Sequence, residues 1–441
     1  MALSVVACAE NASRRATPGV RLVSASLPEK LALRMPLMNL TRVEATATIL
    51  TAGPNAGKIL VAGGRGAAVD AGSSEFEPVW ASTEVYDPGS NTFIYGPSMH
   101  AGRDSHTATM IVSRPNAGKI LIAGGEDGSY PPLSSTELYD PASNTFMAGP
   151  SMHANRIGHT ATAIDYGPNA SKILVAGGDG DVSAQDSTEL YDSASNTFAL
   201  GPPMSGQRMA HTATVITSGP NTGKILIAGG NGYSFTGHGH SGTLASTELY
   251  DPVANTFAPG PSMNAARESA TATVIDSGPN AGKILIAGGL GESRAPLSST
   301  ELYDPASNTF APGPAMKVAR QEHTATVIAC GPNAGKILIA GGIGAGKGTD
   351  SYLASTELYN PLTNTFAAGP SMNVARYEDT ATLIPSGPNA GMILLAGGAS
   401  YVGVLASVEL YDPATNKFAP PANTPRMKYE LLPPALFREP P

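Results

Sequence analysis

The sequence predicts an all-β, seven-bladed propeller with four antiparallel strands per blade. Three observations predict it. Gly-Gly pairs begin at Gly63, Gly124, Gly177, Gly229, Gly288, Gly341 and Gly397, spaced 61, 53, 52, 59, 53 and 56 residues apart. Between each pair and the following Ser-Thr-Glu or Ser-Val-Glu triplet lie 17, 9, 8, 15, 9, 12 and 8 residues, and removing that segment leaves a remainder of 44 residues in every spacing. Each unit carries several short strand patterns and no helical periodicity, which suits radial repetition. A solenoid would need terminal repeats with polar outer faces, and none is evident.

The elements of one unit follow in order. R-x-x-H-T-A-T-V-I alternates small and apolar residues at period two and reads as the first strand. G-P-N-A-G is its turn: proline presets one dihedral, while asparagine and glycine are expected to take positive φ. K-I-L-I-A is nearly continuous in apolar residues, so the second strand is expected to be buried on both faces. After the Gly-Gly pair and the variable segment, T-E-L-Y forms the third strand. D-P-A-S-N-T closes the next hairpin, with aspartate accepting backbone hydrogen bonds and asparagine in the left-handed conformation. N-T-F-A is the fourth strand. Thr and Ala on the first strand fit the crowded axis. Phe93, Phe146, Phe198, Phe257, Phe310, Phe366 and Phe418 on the fourth fill the space where blades splay apart.

The expected boundaries are an N-terminal extension over residues 1–30, the propeller over 31–418, and a proline-rich tail over 419–441. The repeats start near 42, 103, 156, 208, 267, 320 and 376. Leu31 to Thr41 matches the end of a repeat and is expected to lead into blade 1, with closure by face packing of blade 7 on blade 1.

Composition narrows the functional classes. Twenty-seven basic and 35 acidic residues give a net charge of -8, without a basic run, so nucleic acid is not an expected partner. No apolar run is long enough for a membrane-spanning helix. Two cysteines, Cys8 and Cys330, make no disulfide framework. The stretch ending in Cys8 resembles a bacterial lipoprotein box without its basic start, and the N-terminus reads as unstructured.

The Gly-Gly pair after an apolar strand, the Y-D-P turn, the aromatic on the fourth strand and the R-x-x-H opening together resemble the kelch repeat. The resemblance runs from Arg42 to Phe418. It departs at the fourth strand, where kelch units usually carry Trp and this chain has Phe. The E-L-Y-D-P and T-A-T-V-I wording looks closer to bacterial kelch-containing proteins. Kelch propellers serve many functions, so the resemblance implies fold and not activity.

With four antiparallel strands per unit, the entry to the first strand and the variable segment share one face. Arg42, Arg103, Arg156, Arg208, Arg267, Arg320 and Arg376 are expected to ring the mouth on that face. The resemblance to kelch adaptors that capture acidic peptides makes them anion-binding candidates. The other reading is a structural pair in each blade with Glu84, Glu137, Glu189, Glu248, Glu301, Glu357 or Glu409. His106, His159, His211 and His323 follow three residues after their arginines and read as structural hydrogen-bonding groups. His238 and His240 lack a third nearby ligand for a metal, and the D-G-D turn at Asp179 is too short for a calcium loop.

Aromatic residues recur in the variable segments: Phe76 and Trp80, Tyr130, Tyr233 and Phe235, Tyr352, and Tyr401. They suit sugar faces or peptide side chains, or they pack on the loop stems. Segments Arg65–Ala81 and Asn231–Ala245 are the longest, on blades roughly opposite, and are expected to clamp a ligand. No catalytic residue, metal or cofactor is assigned. The expectation is a monomeric, non-enzymatic binding module for a protein or glycan, in a bacterial envelope or outside the cell. The alternative is a carbohydrate-active enzyme, a sugar mutarotase or a galactose-oxidase-like protein, with its site at the channel mouth.

Overall fold

The computed structural model describes residues 35–67, 78–113, 115–181, 183–232 and 242–420. The expected extension over 1–30 and nearly all of the tail lie outside them. Seven four-stranded antiparallel sheets follow one another along the chain, each in simple sequential order. In blade 1 the strands are Thr46–Ile49, Ile59–Ala62, Thr83–Asp87 and Thr92–Tyr95. The other six blades repeat this order, down to Thr380–Leu383, Ile393–Ala396, Val408–Asp412 and Lys417–Phe418 in blade 7. The register is the same in each: Thr46 opposes Ala62, and Thr212 opposes Ala228.

The innermost strands touch their neighbours all the way round, Thr46–Ile49 meeting both Thr107–Met110 and Thr380–Leu383. Their Thr and Ala side chains are half-buried, and the second strands are wholly buried, as the sequence pattern requires. Between blades lie separate apolar clusters. One holds Leu60, Val85, Met99, Ile120, Ile122, Tyr139 and Phe146. The Met of each connector enters such a cluster, and the outer Phe meets the buried Tyr of its own blade at 5.0–5.5 Å between ring centres.

The two turns divide their labour differently from the sequence expectation. In the Y-D-P turn, Asn91 has φ 55° and Asp87 Oδ1 accepts the Gly89 N–H at 2.7 Å, as expected. In G-P-N-A-G it is the two glycines, such as Gly53 (φ 72°) and Gly57 (φ 82°), that take positive φ, and not the asparagine. The asparagine has another task. Asn169 donates to the Tyr250 hydroxyl and the Pro252 carbonyl of the next blade, and Asn389 donates to Tyr86 at 3.1 Å across the closing seam.

Among the described residues, closure uses no exchanged strand. Residues 37–42 act as the connector into blade 1 and lie on blade 7: Met38 N donates to Ala406 O, Leu37 bridges Ser407, and the Met38 side chain enters the cluster of blades 7 and 1. Cys330 stands beside the turn after the innermost strand of blade 6, away from the variable segments.

Candidate functional site

The seven arginines are the best-fixed side chains of the loop face, and they face inward. Each is buried. Arg156 is typical. Its Nη1 donates to the carbonyls of Gly177 (2.8 Å) and Ser187 (3.0 Å), and its Nη2 to Ser187 Oγ (2.9 Å) and Glu189 Oε1 (3.1 Å). Arg208 meets Glu248 at 3.0 Å, and the other five blades make the same pair at 2.9–3.6 Å. Of the two sequence readings, the geometry is that of the structural pair. The guanidiniums lock each variable segment onto its own blade and offer no exposed donor to an anion. Each Glu also accepts N–H groups from the incoming connector, as Glu189 does from His153 and Ala154.

The Gly-Gly pair is required by the same machinery. Gly177 has φ 63°, its carbonyl takes Arg156, and a Cβ there would lie 2.4 Å from the Arg208 carbonyl. Gly178 N donates to that carbonyl at 2.9 Å, which ties each blade to the next.

The four histidines each bond the Thr hydroxyl that opens the preceding blade, for example His159 Nε2 to Thr107 Oγ1 at 3.0 Å. Burial pushes all four imidazoles down to about 3. Blade 7 has Asp379 at this position, buried, with neither carboxylate oxygen partnered. Burial pushes it up to about 7 against the opposing pull of Arg376. Among the described residues no group of three or more His, Cys, Asp or Glu side chains is placed to hold a metal ion. No described helix is long and apolar enough to cross a membrane.

Inside the arginines lies a second ring, two residues further along each blade: Glu44, Ser105, Gly158, Ala210, Ser269, Glu322 and Glu378. All have positive φ, 50–59°. Backbone N–H to carbonyl bonds of 2.9–3.4 Å run from Glu44 to Glu378, Glu378 to Glu322, Glu322 to Ser269, Ser269 to Ala210, Ala210 to Gly158, and Ser105 to Glu44. This hoop fixes one side chain per blade at the mouth. The mouth is asymmetric, because three consecutive members on blades 6, 7 and 1 are glutamates. Burial, then Glu44 and Glu268, push Glu322 up to about 7. Burial, then Glu44 and Glu322, push Glu378 up as well. Beside them Arg65 is engaged by Asp104 and Glu126. A cleft of about 430 Å³ opens here, lined by Glu44, Arg65, Tyr377, Glu378 and Ser400.

The aromatic candidates do not act as one set. Trp80 is half-buried, donates its indole N–H to the Thr41 carbonyl at 2.9 Å, and covers Gly66. It is a loop-stem residue with one accessible side. Tyr130 and Tyr401 are exposed. Tyr352 stacks on Tyr377, with ring centres 5.3 Å apart and planes at 16°. Phe76, Tyr233 and Phe235, with His238 and His240, lie outside the described residues, and so does the central part of each long segment expected to form the clamp.

Sequence reasoning passed over Glu44, Glu322, Glu378, Tyr377 and Asp104. Their signal was present: within a repeat of nearly fixed wording, the two x positions of R-x-x-H change from blade to blade.

Fold and site together define a repeat-built β-propeller with a locked frame and one variable face. A model of the kelch motif matches residues 116–153. Kelch-like protein 23 of Homo sapiens is 25% identical over 321 residues, covering 71% of this chain and 50% of that protein. Kelch-like protein 35 of Mus musculus is 26% identical over 239 residues, covering 54% of this chain and 36% of that protein. The chain thus spans about half the length, or less, of these relatives. Among solved structures, a fungal alcohol oxidase in complex with copper matches with a TM-score of 0.62 and 19% identity, over 85% of this chain and 75% of that one. At that identity the likeness is one of fold. The matches and the seven concordant blades make the chain similar to kelch-repeat proteins.

Proposed function

We propose that the chain is a non-enzymatic binding module whose variable face takes a protein ligand. The observation that carries this is the contrast between the two rings. Arginine, glutamate and Gly-Gly repeat without change and are consumed in holding blades together. The next ring inward and the segments after Gly-Gly vary around the ring and are held on that frame. A rigid scaffold with one idiosyncratic face is the arrangement of a recognition surface.

A glycan is the second reading, favoured by the exposed rings of Tyr130 and Tyr401, which suit sugar faces. Activity as a monomer outside the cell, or in a bacterial envelope, completes the proposal. The test is a peptide and glycan array probed with the full chain and with a variant whose segments 65–81 and 231–245 are cut to the length found in blade 3. Ligands that bind the native chain and are lost in the variant support the reading. Ligands retained unchanged place the site elsewhere, and turnover of a sugar or alcohol by the native chain overturns it.

A further inference from the structure

We propose that the mouth between blades 6, 7 and 1 accepts a positively charged side chain, an arginine or lysine, from the bound protein segment. This rests on the reading of the variable face as a protein-binding surface.

Three carboxylates come from three consecutive blades. The hoop bonds, Glu378 to Glu322 at 3.2 Å and Glu44 to Glu378 at 3.4 Å, hold their backbones in series at one mouth. All three side chains are half-buried. Among the described residues Arg65 is the one cation lining the adjoining cleft, and it is already engaged by Asp104 and Glu126. A fold that needed only solubility would leave such groups in open water. Here they are partly desolvated and beside one another, and Arg65, already engaged, offsets them only in part.

The second observation is independent of charge. Ser400, 7% exposed, lines the same cleft, and its hydroxyl has no partner. A hydroxyl oxygen can accept a hydrogen bond. A buried acceptor without a donor is costly, and a group rich in N–H that also carries positive charge relieves both costs at once. Tyr377, stacked on Tyr352, adds an aromatic wall to the cleft, the kind of surface on which a flat guanidinium packs. An acidic peptide would meet three carboxylates at the same place, and a neutral sugar would leave their repulsion in force.

A bound cation favours the ionised carboxylates, so binding strengthens as pH rises through neutrality, where Glu322 titrates. Glu44 and Glu268 oppose ionisation of Glu322, while Glu44, Glu322 and Asp104 oppose that of Glu378 and Arg65 favours it.

The experiment is calorimetry with the full chain and short acetylated, amidated Gly-Ser peptides bearing one central Arg, Lys, citrulline or Glu. Glu378→Gln and Glu322→Gln/Glu378→Gln are compared, with thermal midpoints confirming that they fold. The Arg and Lys peptides should bind, the citrulline peptide about tenfold more weakly or worse, and the double variant should lose about tenfold for Arg. Affinity for Arg should rise from about pH 6 to about pH 8.5 in the native chain only. Equal binding of citrulline or Glu peptides, no binding of the Arg peptide at about 1 mM, unchanged affinity in the double variant, or binding of Ca²⁺ alone overturns the inference. If the arrays yield a loop-face ligand that needs no basic residue, the cation site falls and the binding module stands. If they yield no loop-face ligand, both fall.

Discussion

Removing one ring arginine tests whether the frame is as self-contained as its geometry implies. Arg156→Met deletes a guanidinium that is fully buried, with all four of its hydrogen bonds inside blade 3. Glu189, also fully buried, keeps only the N–H groups of His153 and Ala154 and the exposed His153 ring. Breaking a buried pair by removing one partner costs about 3–5 kcal/mol, because a charge is left uncompensated. The carbonyls of Gly177 and Ser187 lose a donor as well, at about 1 kcal/mol or more each. Relief from desolvating the guanidinium offsets part of this, so we expect a loss of about 4 kcal/mol. Arg156→Met/Glu189→Gln should recover about 1–2 kcal/mol, since Gln keeps an acceptor for the connector and removes the charge. The assay is urea unfolding followed by far-UV circular dichroism and by Trp80, the chain's single tryptophan. Coincident transitions show that blade 1 reports on the whole ring. A loss under about 1 kcal/mol, or a double variant no better than the single one, refutes the reasoning.

Four further outcomes follow from the geometry. Gly177→Ala should prevent folding, because its Cβ would meet the Arg208 carbonyl at 2.4 Å, whereas Gly206→Ala, whose Cβ would approach only the Arg208 side chain at 3.9 Å, should leave the expression and melting curve unchanged. NMR titration should find His159 neutral down to about pH 3. Its folded pKa is depressed, so its contribution to stability is complete above about pH 6.5 and is lost as pH falls through about 3. Glu322 has the opposite sign: its raised pKa gives stability that is complete below the unfolded value and lost as pH rises through about 7, so Glu322→Gln should raise the urea midpoint at alkaline pH and leave it unchanged near pH 4. Trp80→Ala should weaken loop-face binding by about tenfold and speed proteolysis within 65–81, while the urea midpoint falls by no more than the equivalent of about 2 kcal/mol; a larger fall would make Trp80 part of the core.

Much of this protein was written locally. The strand pattern, the Gly-Gly pair and the constant remainder state the number and make of the blades, because each blade is built from its own chain segment and repeats the same short-range packing. The arginine–glutamate pairing was legible for the same reason, since both partners recur in step within one repeat. Asparagine in the G-P-N-A-G turn was misread because its partner, such as Tyr250 for Asn169, belongs to the next blade. The mouth was legible least of all. Glu44 and Glu378 stand near opposite ends of the propeller sequence and become neighbours when blade 7 meets blade 1. Periodicity reports what every blade shares, so by itself the sequence determined the frame. Only the closed ring decided which of the unshared residues face one another, because that adjacency arises from all seven blades turning together about one axis.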